Sequence, residues 1–370
     1  MHKKLFIKMK YKKGGIVVLK KWIMISISLL LSLSLVACGN KTSTDGNGSA
    51  KEDKELVVAH WGGAMTDAYK KIFDAFEEKY GVKVTVVTPN DAGKFKAMVE
   101  SRAVEWDVAN FDSIFALRSA KEGLLEKLDY NVINSEGVPE ELVNEYSIGS
   151  EFISLAISYN TKKYPEGTHP KNWAEFWDTK GFPGPRTLWK FPPGLLESAL
   201  LADGVKPEEL YPLDVDRAFE SLDKIKEDVK VWYTTGTQAP QLLANGEVNL
   251  AAGWSGRIST AKSQGAPEDL EFNQGIIIDD SWVVPKGAPN KDLAMKFIAF
   301  TLDPKQQAAF SSTIDYSPAN AKALDLLDPE VRERLGQNEE NAKQQILLNN
   351  EWWVENYDKV NERFEQWLLK

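Results

Sequence analysis

The feature that most constrains the fold is a regular alternation of short apolar runs with amphipathic helical segments. From Leu56, the run LVVAH leads through WGGAMT into a stretch whose aromatic and aliphatic residues recur at three- and four-residue steps. Gly81 ends that stretch, and Val82–Val87 follows as a second apolar run. A strand, a helix and a strand joined by short connections predict a parallel strand pair with a right-handed crossover.

The same unit recurs along the rest of the 370-residue chain. Strands alternating with helices predict an α/β protein with parallel sheets, and a chain of this length should divide into two domains or lobes. Further strands are predicted over 106–111, 229–233, 249–254 and 275–285, and further helices over 94–102, 120–129, 193–202 and 214–227.

The first 37 residues indicate export, because they contain eight lysines, no acid, and a closing apolar segment of sixteen residues from Trp22 to Ala37. This segment is shorter than the ~20 residues that span a bilayer, so a signal peptide is favoured over a transmembrane helix. Leu35 to Cys38 match the bacterial lipobox, which predicts cleavage before Cys38, lipidation of its thiol and a flexible tether over 38–55. We therefore expect a lipid-anchored protein on the outer face of the cytoplasmic membrane, on its extracellular or periplasmic side.

Charge and cysteine content narrow the range of partners. Cys38 is the only cysteine, so the fold cannot rest on an internal disulfide. The chain has a formal net charge of −9, which becomes more negative once the lysine-rich leader is removed. Nucleic acids and anionic lipid surfaces bind basic faces, so neither is an expected partner.

Ligands in open α/β sheets bind outside the carboxyl ends of the strands. Applied to the predicted strands, this rule selects residues that include two tryptophans, three acids and one arginine. Such a set suits a small ligand that bears positive charge and one negative end, although core packing and internal salt bridges are the alternatives. The selected residues are His60 to Gly62, Asn110 to Ser113, Trp254 to Arg257, and Asp279 with Asp280.

Catalytic arrangements lack candidates in this sequence. Beyond the leader the only histidines are His60 and His169, no cysteine follows Cys38, and neither G-x-S-x-G nor H-E-x-x-H occurs. We therefore predict no enzyme activity, no metal site and no cofactor. A glycosidase that uses a carboxylate pair is an alternative, because acidic residues are plentiful.

Six motifs that cover nearly all of the mature chain resemble the solute-binding proteins of bacterial ATP-binding cassette (ABC) importers, in particular the spermidine and putrescine binders. The motifs are the strand-WGG-helix opening at 56–80, AKEGLLEKLD at 120–129, NWAEFWDTKGFPGPRTL at 172–188, QLLANGEVNLAAGWSGR at 241–257, DSWVVPKGAPNKDLAMKFIAF at 280–300 and NEWWVENYDKVNERF at 350–364.

The resemblance implies a type II periplasmic-binding-protein fold, in which crossing strands join two α/β lobes and the ligand lies in the cleft between them. It also implies delivery of the solute to an ABC permease that a separate ATPase powers, and we expect the binding protein to be a monomer. Lobe 1 would comprise 56–156 and 282–325, lobe 2 would comprise 157–281 and 326–370, and the crossings would lie near Ile153 to Tyr159 and Ile276 to Trp282.

The same resemblance implies roles for individual residues. Helical periodicity conflicts with one of these roles, because Trp353 belongs to an apolar stripe that runs to Trp367 and is typical of a core. By resemblance, Trp61 and Trp254 form aromatic walls, Asp280 binds the ligand amine, Asp112 lies at a strand end that faces the ligand, and Trp353 lies over the cleft.

Two departures from the polyamine binders leave the ligand open. Those proteins place acids where this chain has Lys190, and again directly after the first tryptophan, where this chain has glycine. Arg257 adds a positive charge that could hold a carboxylate through its planar fork, unless it turns to solvent or pairs with an acid of its own lobe. A polyamine such as spermidine or putrescine is therefore the family expectation. The alternatives are a zwitterion such as 4-aminobutyrate, held by Arg257 and Asp280, and a sugar-binding receptor.

Overall fold

A computed structural model describes residues 54–370 of the chain. The predicted signal peptide over 1–37, the lipidation of Cys38 and most of the tether over 38–55 lie outside the described residues. Within the described part of the chain, no helix is both long enough and apolar enough to cross a membrane.

The described elements alternate along the chain, and the predicted strand–helix–strand opening is confirmed. The strands are β1 (Lys54–Ala59), β2 (Val82–Val87), β3 (Val108–Asp112), β4 (Ser147–Asn160), β5 (Arg186–Trp189), β6 (Val229–Tyr233), β7 (Leu250–Trp254), β8 (Glu268–Val283), β9 (Ser317–Pro318) and β10 (Ile346–Leu347). The helices are α1 (Ala64–Tyr80), α2 (Ala92–Glu100), α3 (Ser113–Lys121), α4 (Trp173–Trp177), α5 (Pro192–Ala202), α6 (Val215–Ile225), α7 (Gln238–Ala244), α8 (Ser255–Ser263), α9 (Lys291–Thr301), α10 (Pro304–Ile314), α11 (Pro329–Arg334), α12 (Glu339–Ala342) and α13 (Asn350–Leu368).

All of these strands belong to one sheet, whose main path runs β2-β1-β3-β8-β4-β7-β5-β6. At one end β1 pairs in parallel with β2 and β3, and at the other end β5 pairs in parallel with β6 and β7. In the middle, β8 runs antiparallel to β3 and β4, and β4 runs antiparallel to β7. The predicted parallel pairing is therefore confirmed at the two ends of the sheet and is wrong in its centre, where the long connecting strands run antiparallel to their neighbours.

The two largest hydrophobic clusters of the described residues, here called the first and second cores, lie toward opposite ends of the sheet, and the α/β fold is two-lobed as predicted. Both long strands contribute to both cores: β4 contributes Ile148 to the first and Leu155 to the second, and β8 contributes Trp282 to the first and Ile276 to the second. Paired extended strands are stiff over their length but can twist, which allows them to act as the hinge between lobes.

The predicted helix over 120–129 is wrong beyond its first residues. The helix α3 ends at Lys121, and Gly123 then adopts a left-handed backbone with φ of 73°. The chain continues in an extended form beside the end of β8, where the Glu126 amide donates to the Val284 carbonyl at 2.8 Å. The leucines that suggested a helical face are buried by this pairing instead.

One buried arginine organises the loop that leads to β5. The Arg186 side chain is 0 % exposed, and its guanidinium donates to the carbonyls of Phe176 at 2.8 Å, Gly184 at 2.6 Å and Phe182 at 2.6 Å. These backbone acceptors satisfy a charge that burial would otherwise make costly. These hydrogen bonds hold the loop before β5 in place and so position the strand, which ends at Trp189.

We expect Arg186→Lys to lower the free energy of unfolding by about 2–4 kcal/mol, because one ammonium cannot replace a planar fork bonded to several carbonyls. Urea denaturation would measure this loss. The control Arg217→Lys alters an arginine whose side chain is 42 % exposed and paired with Asp203, and it should cost less than about 1 kcal/mol. Equal losses in the two variants would contradict the role given to Arg186.

Candidate ligand-binding site

A cavity of about 410 Å³ lies between the two cores. Carboxyl ends of strands from both sides of the sheet deliver side chains to it, as the strand-end rule predicts. Its lining includes Trp61 after β1, Asp112 at the end of β3, Trp189 at the end of β5, Trp254 at the end of β7, Asp280 within β8, and Arg257 in the first turn of α8.

Trp61 and Asp280 contact each other directly across the site. The indole Nε1 of Trp61 donates to Oδ2 of Asp280 at 2.7 Å, and Asp280 is only 2 % exposed. The bond fixes the orientation of the indole and leaves the second carboxylate oxygen of Asp280 without a hydrogen bond from the described residues. Trp61 therefore both forms a wall and positions the acid.

Three carboxyl groups form a row across neighbouring strands, which we name the acid row: Asp112, Asp280 and Glu151. In the strand register Asp280 lies opposite Asp112 on β3 and opposite Glu151 on β4. Directly opposed residues on antiparallel strands point to the same face, and like charges there repel. Among the described residues, none of the three has a lysine, arginine or histidine within 4.0 Å.

Burial shifts all three carboxyl groups of the acid row toward their protonated forms, and for Asp280 the neighbouring acids add to the effect. Burial, followed by the charges of Glu151 and Asp112, raises the pKa of Asp280 well above its usual range. Burial raises the pKa of Glu151 to about 7 and that of Asp112 to about 6. An approaching cation would relieve this repulsion and stabilise the ionised carboxylates, so the row is an electrostatic site for a positively charged group.

Asp279, adjacent to Asp280 in β8, points to the other face of the sheet. Its side chain accepts hydrogen bonds from the Ser113 hydroxyl and from Nδ2 of Asn350, the latter at 2.8 Å. It does not line the cavity. Of the two acids that the strand-end rule selected here, Asp280 faces the cavity and Asp279 connects the starts of α3 and α13.

Arg257 lies at the cavity wall with no acidic partner. The residue is 8 % exposed, and its Nη2 donates to the Gly62 carbonyl at 3.3 Å. Among the described residues, no carboxylate approaches it within 4.0 Å, so it neither turns to solvent nor pairs with an acid of its own lobe. A buried guanidinium without a counter-ion is unfavourable, which makes this wall a site for an anionic group.

The structure also shows where Trp353 and Lys190 lie relative to the cavity. Trp353 does not lie over the cavity: it is 0 % exposed, belongs to the second core, and donates Nε1 to Glu197 at 2.7 Å. The helical stripe correctly indicated a core position, and Tyr357, one turn later, lines the cavity instead. Lys190 points away from the cavity to Glu365, at 3.3 Å, because alternation along the chain turns its neighbours inward.

Several lining residues escaped the sequence analysis. Trp189 and Thr234 could have been found, because they lie at the carboxyl end of β5 and directly after β6, where the strand-end rule applies. Arg118, Tyr316 and Tyr357 carry no such signal, since helices and an irregular segment from distant parts of the chain bring them to the cavity. Arg118 pairs with Asp358 and stacks on the Tyr357 ring at 4.4 Å.

Two lobes, a sheet continuous through two crossing strands, and an aromatic cavity with separate acidic and basic walls define a type II solute-binding protein. The family model described as bacterial extracellular solute-binding protein matches residues 71–336, and the chain belongs to this family. It is the substrate-binding component of an ABC importer rather than an enzyme, because its relatives are solute-binding proteins of such transporters.

Individual relatives refine the picture. A gamma-aminobutyric acid-binding protein from Pseudomonas aeruginosa is 36 % identical over 330 residues, which cover 86 % of this chain and 92 % of that protein. An ABC transporter substrate-binding protein from Bradyrhizobium japonicum superimposes with a TM-score of 0.81 at 37 % identity, covering 85 % of this chain and 99 % of that one. A solved GABA receptor has a TM-score of 0.78 at 39 % identity, covering 85 % and 98 %.

The spermidine and putrescine binders are more distant than these proteins. One of them, from Haemophilus influenzae, is 24 % identical over 329 residues, covering 85 % of this chain and 89 % of that protein. The sequence motifs had suggested this branch first. The broader family is thus established, while the branch named from the motifs is the less similar one.

The acid row should make the ligand-free protein less stable as pH rises. The folded Glu151 carboxyl keeps its proton up to about pH 7, whereas an ordinary glutamate has a pKa of 4.5. Stability from this group is therefore complete at low pH and is lost as pH rises between these values. In Glu151→Gln, the fall in unfolding free energy over this interval should be shallower by up to about 1.4 kcal/mol per pH unit.

Chemical denaturation of the ligand-free protein at several pH values would measure the slope. A suitable control is Glu136→Gln, because hydrogen bonding to Lys322 lowers the pKa of that exposed carboxyl. The control should leave the downward slope between about pH 5 and 7 in place. If the fall in unfolding free energy with pH were as steep in Glu151→Gln as in the wild-type protein, the prediction that folded Glu151 keeps its proton up to about pH 7 would be wrong.

Proposed function

We propose that the protein captures a short zwitterionic amine in its cleft, with 4-aminobutyrate as the reference ligand, and delivers it to a membrane permease. The observation that carries this proposal is that Arg257 lines the same cavity as Asp280 and Asp112, the two members of the acid row that reach the cavity, while Glu151 lies buried behind Asp280. A ligand with one ammonium and one carboxylate would neutralise both walls at once.

The electrostatic surroundings support two distinct poles. The charges that raise the pKa of Asp280 beyond the effect of burial are acidic, and the largest come from Glu151 and Asp112. Burial raises the pKa of Tyr316 to about 12, an effect that Arg257 opposes and Asp280 increases. Both Arg257 and Asp280 therefore affect Tyr316, and a ligand that reached from one to the other would lie along the Tyr316 ring.

Aromatic rings complete a site suited to an ammonium group. Trp61, Trp189 and Trp254 line the cavity, and the indoles of Trp189 and Trp254 meet edge to face at 5.6 Å between centroids. A cation over such a ring gains ~0.5–2 kcal/mol. The methylene chain of the ligand would lie against the same apolar surfaces.

A diamine such as putrescine is the second candidate, supported by the acid row and by the relatives that are 24 % identical. It would leave Arg257 unpaired and bring a second ammonium toward the guanidinium. The outward direction of Lys190 removes only one of the two positive charges that opposed a diamine. The GABA-binding relatives and Arg257 together favour the zwitterion over both a polyamine and a sugar.

The cellular setting belongs to the proposal as well. We propose that Cys38 carries the lipid anchor, that the protein works as a monomer with a permease and an ATPase, and that the lobes divide at the boundaries expected from the sequence. Core membership supports those boundaries, since Leu348 and Phe364 pack with the second core although they follow the first-core residue Tyr316 in sequence.

Isothermal titration calorimetry with 4-aminobutyrate, putrescine and spermidine would test the ligand. We expect 4-aminobutyrate to bind most tightly. Arg257→Gln and Asp280→Asn should each weaken its binding by at least about 30-fold, because each leaves a buried ligand charge without its partner. Lys190→Gln is the control, since that side chain points away from the cavity, and it should change affinity by less than about threefold.

The diamine alternative predicts the opposite pattern. Tight putrescine binding that survives Arg257→Ala would overturn the zwitterion proposal. Loss of putrescine binding in Asp280→Asn alone would then identify the acid row as the whole of the recognition site.

A further inference from the structure

Arg257 reaches from one lobe to the other. It follows β7, whose Leu250 belongs to the second core, and its Nη2 donates at 3.3 Å to the carbonyl of Gly62, which follows β1 of the first core. The guanidinium that faces the cavity is therefore also part of the contact between the lobes.

Two glycines, one from each side of the cleft, make room for this side chain. A Cβ at Gly63 would lie 2.9 Å from Nη1 of Arg257, and a Cβ at Gly236 would lie 2.5 Å from Nε. Real Cβ atoms do not approach other atoms so closely without displacing them. Any side chain at either position would therefore move the guanidinium.

The groups that surround Arg257 offer it no negative charge. Burial, followed by the charge of Arg257, lowers the pKa of His60 to about 4, so His60 is neutral near pH 7. Burial raises the pKa of Tyr316 and Tyr233, and Arg257 opposes that increase in both. In the described structure the guanidinium is therefore buried among neutral groups, which is unfavourable unless an anion accompanies it.

We propose that Arg257 makes closure of the lobes conditional on a ligand carboxylate, so that the protein selects ligands by whether it can close on them as well as by affinity. The inference rests on the proposed function and deepens it. An amine without a carboxylate would still bind the acid row, but it would leave the closed form with an unpaired buried guanidinium. A ligand can shift a conformational equilibrium only by its differential affinity for the two states, and the carboxylate supplies that difference.

Matched ligands isolate the carboxylate. 4-Aminobutyrate and n-butylamine share an ammonium and a four-carbon chain, and only the first has the carboxylate. Closure would be followed by the distance between labels on Asp67→Cys and Gln241→Cys, which are exposed positions on α1 and α7, in the full chain with Cys38→Ser. Cys38 is the only native thiol, so labelling would be specific.

At saturation, 4-aminobutyrate should close the wild-type protein, whereas n-butylamine and putrescine should bind and leave it open. In Arg257→Gln and Arg257→Met, n-butylamine should now close the protein, with a closure constant raised by about 100-fold over that of wild type. If Arg257 only supported the fold, its replacement would weaken closure with every ligand, so closure gained with n-butylamine distinguishes the two roles.

The outcomes separate the two proposals. Closure of the wild-type protein by saturating n-butylamine or putrescine overturns the carboxylate requirement, even when 4-aminobutyrate also binds. If n-butylamine binds Arg257→Gln and Arg257→Met but closes neither variant, the carboxylate requirement is overturned as well. Absence of 4-aminobutyrate binding overturns the proposed function, and absence of binding by every ligand overturns both.

Gly236→Ala provides an independent test, because it would displace the Arg257 guanidinium without removing its charge. Displacing the guanidinium should lower the affinity for 4-aminobutyrate by about tenfold or more, with little effect on n-butylamine binding. Gly93→Ala, on α2 and 3.2 Å from Asp91 at its nearest contact, is the matched control. In an Arg257→Met background the effect of Gly236→Ala should vanish, and an unchanged effect there would show that Gly236 acts by some route other than Arg257.

Discussion

The antiparallel pairing of β4 with β8 is the interaction on which the rest of the structure depends. Each strand passes from one hydrophobic core to the other, so their shared hydrogen bonds join the two lobes. The same pairing sets the register that places Asp280 beside Glu151. A slip of one residue would turn Asp280 to the opposite face of the sheet, where Asp279 now lies, and would remove the acid from the cavity.

That register produces an arrangement that is unfavourable without a ligand. Burial raises the pKa of three carboxyl groups on adjacent strands, so that their ionised forms are unfavourable, while the Arg257 guanidinium at the same cavity lacks an anion. The two cores and the paired strands supply the stability that keeps these groups in place. In the proposed function, a ligand with both an ammonium and a carboxylate would satisfy both groups, and the free energy gained would favour the closed form.

Much of the site could be predicted because strand ends have a simple geometry. Trp61, Asp112, Trp254 and Arg257 were selected by following strands to their carboxyl ends, Asp280 was selected because it follows the apolar run Ile276 to Ile278, and all five line the cavity. The errors arose where local pattern and tertiary context diverge. The segment over 120–129 has helical composition but pairs with the end of β8. The family resemblance placed Trp353 over the cleft, whereas the structure places it in the second core. Glu151 was not predicted because it lies near the start of the long strand β4, where the strand-end rule does not apply.

The sequence by itself determined the alternation of strands and helices, the prediction of an export signal, the absence of catalytic motifs, and the identity of the charged and aromatic residues at strand ends. These are properties of short segments, and local periodicity and residue chemistry are sufficient to define them. Only the tertiary structure decided that Asp280 has acidic neighbours on both sides, that Arg257 has none, and that two glycines from different lobes make room for it. Those properties are relations between residues as far as 195 positions apart, as in the contact of Arg257 with Gly62, and they arise only when strand register and lobe packing bring distant segments together.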